Sequence, residues 1–330
     1  MTANTDMFTE AIVKILSHQC EPHEVRLIEA GGSAKDLWGA VERAGFLDLL
    51  IPEEDGGAAL PMHQFFPVLA ALGRFAVPLP LAQTLVARAI LPKELREAGI
   101  VTIADALHMH RDHTADARVP YALVADSVLV QQGAHYRLLP TGSARRELTG
   151  VRGDLSARLW WQEGEGSIGP IDLGKTSLLA INAACHAAML SGAMARVLEM
   201  TLSFCNEREQ FGRPIGKFQA VQQQVSVMAE HAAAASVAAA AAFDVDGLWP
   251  SVQGAAIAKA RASEAAYVVA SIAHALHGAI GMTEELDLQI WTRRLHAWRI
   301  AHGADGYWNK VVAMLLLEGS LSFTRGAHPH

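Results

Sequence analysis

Arg208-Glu209-Gln210-Phe211-Gly212 stands just past the end of a long helical stretch and is the segment best equipped for chemistry. Arg208 offers a planar guanidinium fork that matches a phosphate, and Phe211 offers an aromatic face beside it. Gly212 and Pro214 make the chain turn there. By itself, an Arg near a helix C-terminus is a solvated charge that favours the helix dipole. His302 is a second candidate, because imidazole titrates near neutral pH and suits proton transfer, although a lone His beside Gly303 is commonly structural. Trp291 and Trp298 lie among Arg293, Arg294, His296 and Arg299, a set that could grip an anion. Their seven-residue spacing puts both indoles on one helical face, so packing is expected, with the arginines snorkelling to solvent. No phosphate-binding P-loop, no GxGxxG after a strand and no Ser–His–Asp arrangement can be argued. Cys20, Cys185 and Cys205 are too widely spaced to suggest a metal site or a disulfide framework.

The elements that must carry these residues read as helix, then strand, then helix. Residues 1–98 are expected to form an N-terminal helical domain. Ser33 precedes Asp36 at capping-box spacing, Leu37, Val41 and Ala44 share one face, and Gly45 suits a left-handed cap. Ile51-Pro52-Glu53-Glu54-Asp55-Gly56-Gly57 is a turn-rich break before a helix from Met62 to Phe75. Residues 99–174 change texture, with β-type runs at 100–103, 127–130, 136–139 and 157–161 and a hairpin turn at Gln132–His135. Residues 175–330 are helical again and rich in alanine, with long segments at 221–243, 251–276 and 286–317. Small side chains let helix axes approach, so a C-terminal bundle of about four helices is expected. The fold class is therefore mainly α, with a small central β unit.

Composition bounds the function. The chain is 51% hydrophobic and 18% charged, so burial is easy and disorder is not expected. A net charge of -7 argues against nucleic acid as a partner but leaves room for a local anion site. Thr176 to Ala195 lacks Asp, Glu, Lys and Arg, yet Asn182, His186, Ser191 and Gly192 interrupt it, so a buried helix is expected rather than a membrane span. Met1 to Asp6 is polar and unlike a signal peptide, and the free cysteines suit a reducing compartment, so a cytoplasmic location is expected.

Arg208-Glu209-Gln210-Phe211-Gly212-Arg213-Pro214-Ile215-Gly216-Lys217-Phe218-Gln219 closely resembles the flavin-gripping signature of the acyl-CoA dehydrogenase family. Ile51 to Gly57 resembles that family's N-terminal turn, and His277-Gly278-Ala279-Ile280-Gly281-Met282-Thr283 resembles its late Gly-rich turn, which approaches the ADP part of the flavin. The resemblance covers nearly the whole chain in the right order. It implies FAD between subunits, hydride transfer to the flavin, and a Glu that takes the α-proton of an acyl-CoA.

Three departures qualify that implication. The family's two positions for the base Glu hold Asn182 and His302, so no catalytic residue is assigned to this chain. The β unit is short and lacks the loop that holds the flavin ring, Thr141-Gly142-Ser143-Ala144 being the nearest counterpart. Ala275 stands where a Gln usually bonds the flavin. The resemblance is thus to the short, base-lacking subunit of a heteromeric acyl-CoA dehydrogenase of the steroid side-chain type. It implies FAD shared at a subunit interface and contacted here by Arg208, Gln210, Phe211, Phe218, Gln219, Gly278 and Ala279. The partner is a full-length subunit that supplies the Glu, and the substrate is an acyl-CoA. An independent flavoenzyme with an unrecognised base and a non-catalytic scaffold stay open as alternatives.

Overall fold

Met1–Gly174 and Lys175–His330 form two compact units in the computed structural model, which describes residues 3–96 and 99–319. The first unit opens with five helices: α1 (Ala3–Gln19), α2 (Pro22–Glu29), α3 (Lys35–Arg43), α4 (Met62–Arg74) and α5 (Leu81–Ile90). Gly45 is left-handed at φ 73° just past α3, as the spacing predicts. The capping expectation at Ser33 is corrected. The residue before α3 is Ala34, and the Ser33 hydroxyl accepts from Lys35 N–H instead, at 3.2 Å. In the turn at 51–57, Gly56 N–H bonds Glu53 O and Gly57 N–H bonds Pro52 O, both at 3.0 Å. Gly56 is left-handed at φ 88°, and a Cβ on Gly57 would sit 2.1 Å from the Ile51 carbonyl oxygen.

Eight strands follow: β1 (Val101–Ala104), β2 (His108–Met109), β3 (Thr114–Val119), β4 (Ser127–Gln132), β5 (His135–Pro140), β6 (Arg145–Leu148), β7 (Ala157–Gln162) and β8 (Ser167–Pro170). They form two four-stranded sheets, β1-β4-β5-β8 and β2-β3-β7-β6, antiparallel except for the β1–β4 pair. The sequence reading located β1, β4, β5 and β7 but missed the other four. β6 and β8 have almost no buried residue, so no apolar alternation marks them. Val128, Val130 and Leu139 from one sheet pack with Ala117, Val119, Leu159 and Trp161 from the other. Trp161 Nε1 donates to Pro140 O at 2.7 Å, which satisfies the one polar atom of that buried indole.

The second unit is built on α6 (Leu178–Glu207). A two-stranded ribbon, β9 (Glu209–Gln210) and β10 (Arg213–Pro214), leads to α7 (Gln219–Phe243), α8 (Val252–His277), α9 (Leu288–Ile300) and α10 (Asp305–Leu317). Ser177 and Ser251 cap α6 and α8, their hydroxyls accepting from Ala180 N–H and Gly254 N–H at 3.2 and 3.0 Å. α6 packs against α7, α8 and α9, and runs of buried alanines on α6 and α8 allow the close approach. Among the described residues, three helical stretches, Leu178–Glu207, Gln219–Phe243 and Val252–Met282, are long and apolar enough to cross a membrane by length and composition. In α6, 89% of that apolar window is buried inside the protein. The segment 286–317, expected to be one helix, is two. It breaks at Ala301–Ala304, where His302 and Gly303 are both left-handed at φ 54° and 88°. Arg294 is also corrected: it is 6% exposed and does not reach solvent.

Replacing Gly57 with Ala is expected to cost more than about 2 kcal/mol, because the new methyl meets backbone that cannot yield. Gly56→Ala has open space and is expected to cost only about 1 kcal/mol, from its positive φ. Urea unfolding of both variants checks the difference.

Candidate functional site

The hairpin after α6 is a two-residue turn whose central residues, Phe211 and Gly212, both have positive φ, 53° and 77°. Glycine tolerates this conformation, but Phe211 is strained by it, and its side chain is 92% exposed. Arg208 and Gln210 are also exposed, and Arg208 ends α6 with extended backbone. Its carbonyl accepts from Ile215 N–H at 2.8 Å, which closes the hairpin. Phe218 packs edge-on to Phe211 with centroids 6.2 Å apart, and the Arg213 guanidinium lies 4.3 Å over the Phe218 ring. Gln219 is exposed in the first turn of α7.

The late Gly-rich turn lies at the same end of the unit. Phe204, near the end of α6, stacks on His277, the last residue of α8, with centroids 4.3 Å apart. Gly278 follows at φ 65° and ψ -146°, a conformation only glycine enters readily, and both Gly278 and Ala279 are exposed. All seven residues assigned to the cofactor therefore sit where α6 and α8 end and α7 begins. They form an outward-facing cation–aromatic edge, and their donor types fit a phosphate and a flat ring.

The two base positions lie in a different environment. Asn182 is fully buried; its Nδ2 donates to Leu178 O at 2.8 Å, and its Oδ1 has no hydrogen-bond partner among the described residues. One turn on, His186 Nδ1 is 2.9 Å from Asn182 O. A carbonyl can only accept, so Nδ1 carries the proton and the unpartnered Nε2 keeps its lone pair. His302 presses on His186 with ring centroids 4.6 Å apart, and Trp298 meets it edge-on at 6.4 Å. The break between α9 and α10 is what delivers His302 here, and Trp308 Nε1 fixes it by donating to the His302 carbonyl at 2.8 Å.

Lys259 on α8 is fully buried beside this pair. Its Nζ donates to Ser263 Oγ, Trp298 O and Arg299 O at 3.0, 2.8 and 2.9 Å. Three donors meet three acceptors, two of them carbonyls at the negative end of α9. Burial, then the His302 and Lys259 charges, hold His186 well below the ordinary histidine range. Among the described residues, no carboxylate hydrogen-bonds Asn182 or His186. A proton taken up by His186 would place positive charge near the Lys259 ammonium, so His186 is a poor general base. Sequence reasoning missed His186, Lys259 and Ser263. The one available signal was a polar pair, Asn182 and His186, at i, i+4 spacing in an uncharged stretch.

Residues 175–317 match the family model described as acyl-CoA dehydrogenase, C-terminal domain, and residues 2–100 match its N-terminal domain. Acyl-CoA dehydrogenase IpdE2 of Mycolicibacterium smegmatis is 31% identical over 304 residues, covering 90% of this chain and 93% of that protein. Among solved structures, a chain of the ChsE4–ChsE5 complex from Mycobacterium tuberculosis superposes with a TM-score of 0.80 at 22% identity, covering 96% of this chain and 98% of that one. A chain of the Tcur3481–Tcur3483 steroid ACAD, solved as a variant, gives 0.79 at 23% identity and covers 97% and 99%.

The depressed proton affinity of His186 has a consequence for stability. The unfolded chain takes up this proton below the ordinary value of 6.5, whereas the folded chain resists it. Stability from this group is therefore complete above that value and is lost as pH falls below it, by at most about 1.4 kcal/mol per pH unit. Urea midpoints are expected to fall between about pH 7.5 and 5.5, and less steeply in His186→Gln than in the native chain.

Proposed function

Because the chain belongs to the acyl-CoA dehydrogenase family, oxidoreductases acting on acyl-CoA, we propose that it is one subunit of a heteromeric FAD-dependent acyl-CoA dehydrogenase. In this reading it contributes part of the flavin site, while a full-length partner subunit contributes the catalytic Glu. The observation that carries the proposal is the contrast within the second unit. The cofactor residues are exposed, apart from half-buried Phe218, and both base positions are sealed in a cluster with His186 and Lys259. The two-chain composition of the ChsE4–ChsE5 and Tcur3481–Tcur3483 neighbours supports a paired assembly, and the latter's description supports a steroid-type acyl-CoA as substrate.

Bound FAD would supply the hydride acceptor for α,β-dehydrogenation of the thioester. This chain's own residues do something simpler. Arg208 offers its guanidinium to a phosphate, with Gln210 adding an amide at the same edge. Phe211 and Phe218 offer aromatic faces that exclude water from a flat ring. Gly278 and Ala279 let backbone come close, because neither carries a side chain large enough to block approach. His302 and Asn182 hold the interior of the bundle and transfer no proton.

In the heteromeric complex, Arg208→Ala is expected to lower FAD affinity roughly tenfold or more, since it removes a charged contact to phosphate rather than core volume. The helical circular dichroism signal should stay unchanged. Flavin titration monitored by fluorescence quenching measures the effect, and unchanged affinity would reject the role of the hairpin. Turnover of the complex is expected to survive His302→Gln nearly intact, whereas a loss of several orders of magnitude would make His302 the base.

A further inference from the structure

The sheet β2-β3-β7-β6 has one face that carries none of the residues assigned to the cofactor. Strand alternation turns Ala117, Val119, Leu159 and Trp161 into the core. Asp116, Arg118, Arg158 and Trp160 then share the opposite face, with Arg145 and Glu147 level with them on β6 and His108 on β2. Asp116 is only 1% exposed although it lies on the outer side of a sheet. Its two oxygens are taken by Arg158 Nε and His110 Nε2, both at 2.5 Å. His110 also stacks on Trp160 with centroids 5.4 Å apart, and the guanidinium carbons of Arg145 and Arg158 lie 4.7 and 4.9 Å from that ring.

This arrangement aims Arg158. The buried carboxylate holds it through Nε, and the indole holds the plane of its guanidinium. Its two terminal nitrogens make no hydrogen bond to any described residue. Beside it opens a cavity of about 260 Å³ whose walls include Arg118, His108, Glu147 and Thr149. Arg118 and His108 likewise have no ion-pair or hydrogen-bond partner among the described residues. Asp116 is paired with Arg158 and hydrogen-bonded to His110. That leaves Glu147, which lies opposite Arg158 in register and acts on its charge without a direct ion pair, as the remaining acid in the wall. A preorganised guanidinium, a second free guanidinium and an imidazole thus converge on one cavity in a chain whose net charge is -7.

From this geometry we infer that the outer face of β2-β3-β7-β6 is a binding site for a phosphate monoester, gripped by Arg158, Arg118 and His108. A carboxylate would use one fork, but a phosphate dianion has three oxygens to share between two guanidinium forks and the His108 ring. The cavity, at about 260 Å³, is larger than a phosphate alone, so the phosphate is carried on an organic group. Asp116 is a positioning residue, since it acts only through the orientation of Arg158. The site does not depend on the flavin reading, because all of its residues lie in the first unit.

Isothermal titration of the full chain with adenosine 3′,5′-bisphosphate, orthophosphate and adenosine tests the inference. The bisphosphate is expected to bind once per chain with a Kd below about 1 mM, and adenosine not at all. Arg118→Gln, an exposed residue with no structural partner, should weaken binding roughly tenfold, and Arg118→Lys should recover part of it. Arg208→Ala should leave it unchanged. Asp116→Asn should weaken the bisphosphate while Arg158 keeps its charge. Orthophosphate binding as tightly as the bisphosphate would support the phosphate site but assign it to free phosphate. Absence of binding by both anions, or equal affinity in Arg118→Gln and the native chain, would overturn the inference.

Discussion

The ammonium of Lys259 is the constraint on which the second unit depends. A buried charge costs several kcal/mol unless every donor is met, and here all three are met at once. Two of its acceptors are the last carbonyls of α9, so the lysine on α8 fixes where α9 stops. Arg299 reinforces that stop, donating through Nε to Ser263 O at 3.2 Å and pairing through Nη2 with Asp305 at 3.0 Å. With α9 ended there, the left-handed pair His302 and Gly303 can turn the chain and lay His302 against His186 on α6. The interior around His186 is thereby filled with imidazole, indole and lysine.

The same helix, α6, divides the chemistry by position. Its first turns face inward and carry Asn182 and His186; its last turns lead out to Arg208 and the strained Phe211 hairpin. Strain of this kind is retained when something else over-determines it. Here the ribbon pairing of Gln210 with Arg213 and the Arg208–Ile215 bond hold the turn, and the exposed Phe211 ring is the result. Outward grip and sealed interior together support the proposed reading, a chain that completes a site rather than one that contains it.

Local chemistry made much of this legible. Gly45, the Gly56–Gly57 turn, the helix from Met62 and the α7 and α8 segments follow from caps, turn residues and periodicity, which act over a few neighbours. The turn at Gly212 and Pro214 was legible for the same reason, since both residues resist continuation of the helix; the two-stranded ribbon it joins was not. What was not legible depends on distant partners. The periodicity of 286–317 runs on without a breaker before Gly303, so one helix was expected; the break is set by Lys259 on another helix. Arg294 reads as a surface cation, yet its helix face is covered. β3 hides because its outward residues, Asp116 and Arg118, are charged, and the buried state of Asp116 exists only once Arg158 and His110 close over it.

The central claim is that this chain holds half a flavin site and no base of its own. Its most direct test is flavin content, measured from the 450 nm absorbance of the chain purified alone and of the chain purified with a full-length acyl-CoA dehydrogenase partner subunit. The account predicts a colourless, inactive chain and a yellow, acyl-CoA-oxidising pair. A chain that is yellow and active alone, or a pair without flavin, would contradict it.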